Sequence, residues 1–201
     1  QGNALYLEEL IRAAAEGRGD ALPETVVTTM QARLEHLSPE ARRVLRAASV
    51  LGEVFWEGSV RELCGRNEQA GVVEAMLSDL ARQELVTRRK DSRFPGEIEY
   101  VFRHALVREA AYAMLTDEDR RTGHLLAGEW LERAGETRPS VLADHFDRGG
   151  LGARAVPCYL RAAKLYGEAE AHTQNRLEKS RFLVEAARLC LQAGDLAQAR
   201  T

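Results

Sequence analysis

A chain of 201 residues with a formal net charge of −3 is long enough to bury one or two cores, and it offers no electrostatic pull toward nucleic acid or an anionic membrane. Hydrophobic residues make up 45% and charged residues 29%, a balance that excludes disorder, and no apolar run approaches the roughly 18–20 residues needed to span a bilayer. The three cysteines, Cys64, Cys158 and Cys190, are odd in number and lie far apart on apolar helical faces. They read as reduced core residues of a cytoplasmic protein, not as a disulfide or metal framework.

In chain order, "NALYLEELIRAAAEG" places Tyr6, Leu7, Leu10, Ile11 and Ala14 on one helical face, with Gly17 as its stop. The tetrapeptide "GRGD" that follows, residues 17–20, reads as the end of that helix and not as an adhesion signal. "LPETVVTTMQARLEHL" repeats Val26, Val27, Met30, Leu34 and Leu37 at helical spacing behind Pro23. Ser38 is placed to cap the next helix, with Pro39 at its first position and Gly52 at its end. A short helix around "SVRELCG" follows. Asn67 then caps a helix whose predicted buried stripe is Val72, Val73, Met76, Leu77 and Leu80.

The period then changes. "ELVTRRKD" and "EIEYVFRH" alternate like strands, with Ile98, Tyr100 and Phe102 on one side and Glu97, Glu99, Val101 and Arg103 on the other. "SRFPG" between them carries a turn signal, so the pair reads as a hairpin lying against the Val72/Met76/Leu80 helix. Three helices followed by a two-stranded hairpin is the order of a winged helix. From His104 the chain is helical again, with Leu106, Val107, Ala110, Ala111 and Met114 as its stripe. Thr116 and Asp119 resemble a capping box for "DEDRRTGHLLAGEWLERAG". Beyond residue 138, "SVLADHFDRGG" and "ARAVPCYLRAAKLYGEAEA" read as one helical hairpin and "SRFLVEAARLCLQAGDLAQAR" as the start of another. Small alanines between large apolar residues suit helix-pair repeats.

The fold class expected is therefore mainly α: a winged-helix-like domain with a small β-hairpin, followed by TPR-like helical hairpins. Catalytic patterns are missing. There is no G-x-x-x-x-G-K-[ST] loop, H-E-x-x-H, G-x-S-x-G or kinase catalytic loop, and the histidines lack metal-ligand spacing with cysteines or carboxylates. Asp144 and His145 adjoin, but sequence neighbours on a helix point to different faces. A DNA-binding winged helix would read bases through its third helix, which offers Glu68, Glu74 and Asp79 against Arg82. Its wing carries Arg88, Arg89, Lys90 and Arg93, the residues that would touch nucleic acid, among Asp91, Glu97 and Glu99. Nucleic acid is disfavoured as a partner, and a DNA-binding transcriptional regulator is the alternative reading.

"GNALYLEEL", "LPETVVTTMQARLEHLSPEARRVLRAASVLGEVF", "FRHALVREAAYAML" and "LADHFDRGG…AVPCYLRAA", in that order, resemble the tail of STAND-type signalling ATPases. These are AAA-like P-loop regulators in which a nucleotide-binding core is followed by a helical lid, a winged helix and TPR-like repeats. The flavour is closest to bacterial multidomain proteins where the ATPase follows a serine/threonine protein kinase. The resemblance implies a lid remnant over residues 1–37, a winged helix over 38–115, a connecting helix over 116–137 and truncated repeats over 138–201. It implies no cofactor in this segment, ATP or ADP with Mg in the parent, and an intramolecular P-loop ATPase domain as partner. A protein partner or inhibitor is expected on the repeats, with self-association through the last helices as a further outcome. In the related NB-ARC proteins a Met-His-Asp motif brings its histidine to the ADP phosphates from a similar strand-to-helix step. "Phe102-Arg103-His104" resembles it, which makes His104 and Arg103 nucleotide-sensing candidates in the parent. Ala105 stands where that pattern has an acid, and Gly2-Asn3-Ala4 where the family has Gly-x-Pro.

Overall fold

The computed structural model describes residues 24–65, 70–168 and 173–192. The helix expected at residues 3–17, the "GRGD" stretch, the Asn67 cap and the residues after 192 lie outside that range. The described residues are mainly helical with one small antiparallel sheet, and the chain divides into two compact units between Thr116 and Asp117.

In the first unit, α1 (Glu24–Leu34) buries Leu34 and rests Val27 and Met30 on the core. α2 (Pro39–Leu51) begins as its sequence dictates: the Ser38 hydroxyl accepts from Ala41 N–H at 3.1 Å, and Pro39 needs no partner for a missing N–H. Its end is set by Gly52 at φ 112°, a conformation that favours glycine. β1 (Val54–Trp56) follows directly, then α3 (Glu57–Cys64), α4 (Ala70–Arg82), β2 (Val86–Arg88), β3 (Glu99–Phe102) and α5 (Ala105–Ala113).

The sheet has three strands in the order β1-β3-β2, all antiparallel, instead of the two-stranded hairpin that alternation predicts. Val54 pairs with Val101 and Phe55 with Tyr100 on one side of β3, and Val86 pairs with Phe102 on the other. Two strands alone are marginal, and β1 supplies the third while tying the hairpin to the helices before it. Phe55 is fully buried, with its ring 5.7 Å from Tyr100 and 5.2 Å from Phe102. The α4 stripe in the core is Val73, Leu77 and Leu80, with Met76 partly buried beside it and Val72 only half-buried. The hairpin meets α4 as expected, and Val73, Leu77 and Leu80 are the part of the expected stripe that is fully buried. Leu106, Val107, Ala110 and Ala111 bury the inner face of α5.

The second unit contains α6 (Asp117–Ala134), α7 (Pro139–Arg148), α8 (Gly152–Glu168) and α9 (Thr173–Gln192); α7 packs on α6, α8 on α7 and α9 on α8. Short connections reverse the chain at each step among the first three. α6 and α7 approach closely. A Cβ on Gly128 would lie 2.8 Å from the buried Phe146 ring, and one on Gly149 would lie 3.0 Å from Leu125 N. The carboxylate of Glu136 is buried and takes hydrogen bonds from the backbone N–H of Arg138 (2.8 Å) and from its guanidinium, which fixes the start of α7. Arg154 lies 4.0 Å over Phe146 and bonds Glu129 and Glu132. Asp147 accepts from the Tyr159 hydroxyl and from Arg188, joining α7, α8 and α9. Leu165, Tyr166, Leu177 and Val184 remain exposed on the outer surface of α8 and α9.

Candidate functional site

The corner where β3 meets α5 holds the two nucleotide-sensing candidates. Backbone hydrogen bonds build it: Phe102 N–H donates to Glu53 O (2.9 Å) and Arg103 N–H to Leu85 O (3.1 Å), so β3 is held from both sides up to its last residue. His104 then takes an extended conformation (φ −138°, ψ 134°) as the N-cap of α5, and its carbonyl accepts from Val107 N–H. Its imidazole makes no capping hydrogen bond and is exposed. The chain is tied across this joint by backbone groups, with the ring left facing solvent.

The positive charges of the corner are partnered. Arg103 lies 3.1 Å from the carboxylate of Glu84, a residue that the α4–β2 turn holds at φ 59°. Arg108 pairs with Glu109 beside it, while its buried Nε has no hydrogen-bond partner. Sequence reasoning found the histidine and both arginines but missed Glu84 and Glu109 as their partners. The Arg103 pair is exposed on both sides, so it is weak and exchangeable, and an incoming anion competes with it at small cost.

The loop between β2 and β3 carries the second candidate set. Alternation put Glu99 on the outer side of its strand, but it is 5% exposed. Its carboxylate accepts from Trp56 Nε1 (3.1 Å), the Arg89 guanidinium (3.1 Å) and Arg93 N–H (2.9 Å). The strand is too short and too tightly covered for an outer side to exist. Phe94 at the tip folds back against Trp56, ring centroids 4.6 Å apart, and the Arg93 guanidinium lies 5.5 Å from the Phe94 ring centre. Glu97 reaches Gly58 N–H at the start of α3 (3.0 Å). Of the four basic residues, Arg89 is therefore partnered by Glu99, while Arg88, Lys90 and Arg93 are exposed. The facing helix adds little positive charge, since Arg82 is bonded to Asp79 (2.7 Å) and Glu74 is exposed. At the start of α3, Glu57 has a buried carboxylate oxygen without a partner. Burial and the nearby Glu74 push its carboxyl above the usual range.

Among the described residues no group of three or more His, Cys, Asp or Glu is placed to hold a metal ion, and no helix is long and apolar enough to cross a membrane. All three cysteines are free and buried. The chain is similar to an uncharacterized protein of Rhizobium meliloti (strain 1021), 29% identical over 170 residues. That alignment covers 83% of this chain and 16% of the other protein. The chain thus spans well under two thirds of the length of the curated relative it matches. No family model and no solved structure matches the chain.

Proposed function

We propose that this segment is a non-catalytic relay in a multidomain cytoplasmic signalling ATPase, linked to a serine/threonine protein kinase. In this reading the first unit is a winged helix that responds to the nucleotide held by a P-loop module elsewhere in the parent. The second unit is a stack of TPR-like helices that offers its outer surface to a protein partner or inhibitor. ATP or ADP with Mg belongs to the P-loop module, and His104 and Arg103 meet the phosphates from this side.

The observation that carries the reading is β1. Helix, strand, helix, helix, strand, strand, with the first strand paired to the last, is the strand and helix order of a winged helix, and β1 was not part of the pattern that suggested it. Sequential helix packing from Asp117 onward supports the repeat half. The exposed apolar residues on α8 and α9 suit a protein partner, and in the fragment they suit a second copy. The greater length of the Rhizobium protein is in keeping with a multidomain parent.

The test is His104→Ala in the full-length parent, read by titration with a fluorescent ADP and by kinase output. Weaker ADP binding with altered output is expected, and neither changing removes His104 from the mechanism. Arg103→Ala separates charge from ring: it frees Glu84 to repel phosphate, so the loss it causes shrinks as salt rises.

The exposed Arg88, Lys90 and Arg93 favour one second reading, a DNA-binding regulator. Electrophoretic mobility shifts with duplex DNA at 50 and 200 mM salt test it. No salt-dependent complex is expected. A complex that weakens steeply with salt and disappears in an Arg88→Glu/Lys90→Glu variant establishes the DNA reading instead.

A further inference from the structure

Two histidines that the proposed relay does not use face each other inside the second unit. His124 of α6 and His145 of α7 are 3% and 5% exposed, with their Nδ1 atoms 3.0 Å apart and their rings tilted by 50°. A hydrogen bond between two ring nitrogens needs one N–H and one lone pair. One imidazole therefore carries a proton on Nδ1 and the other a lone pair there, an arrangement that two neutral rings of opposite tautomer satisfy.

The surroundings oppose charging them. Burial holds His124 below the ordinary imidazole range, and His145, Arg148 and Arg120 add repulsion. Burial does the same to His145, with Arg148 reinforcing it while Asp144 and Glu136 pull the other way. Arg120 comes from α6, Asp144 and Arg148 from α7, and Glu136 from the connection between them. On α8, Arg154 is engaged with Glu129 and Glu132, and the uncharged Tyr159 hydroxyl with Asp147. A single added proton keeps an N–H aimed at a lone pair. A second proton sets two N–H groups against each other at 3.0 Å, between two positive rings. Gly128 and Gly149 let the two helices approach closely on either side of the pair, so the conflict arises in a tightly packed seam.

We propose that His124 and His145 form a proton-operated latch between α6 and α7, closed near neutral pH and forced open when both rings become charged. The direction follows from linkage. In the open form each imidazole takes its proton near pH 6.5, and in the closed form only at lower pH. The open form therefore binds more protons below that value. The latch is fully stable above about pH 6.5 and loses stability progressively as pH falls below it, with a slope approaching two protons.

Hydrogen exchange on the 201-residue chain, followed from pH 7.5 to 4.5 and corrected for intrinsic rates, tests this together with NMR of the histidine ring protons. Protection in α6 and α7 is expected to fall by up to about 100-fold per pH unit below pH 6, while both rings remain neutral in the closed form. α2 and α5 carry no facing histidine pair and serve as the reference helices. His124→Gln/His145→Gln keeps donors and acceptors without titrating, and removes the steep dependence. If both rings of the unaltered chain titrate near pH 6.5 with no loss of protection, the latch does not exist. The same conclusion follows if the double variant keeps the steep dependence. Should that variant not fold, the unaltered chain decides.

Discussion

Glu99 and Glu57 are both drawn out of water beside the same sheet, yet their surroundings treat them oppositely. Glu99 accepts three hydrogen bonds, from an indole, a guanidinium and a backbone amide, so its charge is fully spoken for. Replacing it by alanine leaves buried donors unpaired, and Glu99→Ala is expected to lower unfolding free energy by about 2–4 kcal/mol in denaturant titration, with Glu99→Gln losing less. Glu57 has an oxygen without a partner and a carboxyl pushed upward by burial and Glu74. A carboxyl whose folded pKa is raised contributes stability at low pH that fades as pH rises through that raised value. Glu57→Gln is therefore expected to raise the melting temperature at pH 7.5, with the gain disappearing near pH 4. Neither behaviour was legible in the sequence. Alternation assigned Glu99 to an outer surface, and nothing in the sequence singled out Glu57; the distinction comes from Trp56 and Arg89 at the one and Glu74 at the other.

At the scale of elements, the helices were legible because their ends and stripes are local. Ser38, Pro39 and Gly52 mark α2 without reference to the rest of the chain. The expected α4 stripe is narrowed by the structure: with Val72 beside Val73 and Met76 beside Leu77, the packing decides which of each pair is fully buried, and it buries Val73 and Leu77. β1 was invisible. Three residues cannot establish a period of two, and the signal that makes them a strand is a partner on β3. Phe55→Ala is expected to cost about 3–5 kcal/mol by chemical denaturation. The corresponding loss for Val72→Ala, on the half-buried side of α4, is expected to be below about 1 kcal/mol. At the candidate site the sequence named His104, Arg103 and Arg108, but Glu84 reaches Arg103 only through the turn that β2 imposes. The His124–His145 pair needed two helices packed side by side before either ring had a partner.

Across the whole chain, each unit has its own buried residues: Leu45, Phe55, Leu77 and Val107 in one, Leu131, Phe146, Tyr159 and Phe182 in the other. A separate core is what an independent domain requires. Residues 24–116 and 117–201, expressed apart, are each expected to melt cooperatively by circular dichroism, and a fragment without a transition contradicts this. The two also differ in how they are wired. The second joins each helix to its sequence neighbour, whereas Trp56 meets Glu99 across 43 positions. During synthesis, β1 must therefore wait on the ribosome for β3 to emerge, with Phe55 unsheltered and open to chaperones through the whole delay. A nascent chain stalled before residue 99 has α1 to α4 and still lacks both β3 and α5, which complete the core around that aromatic side chain.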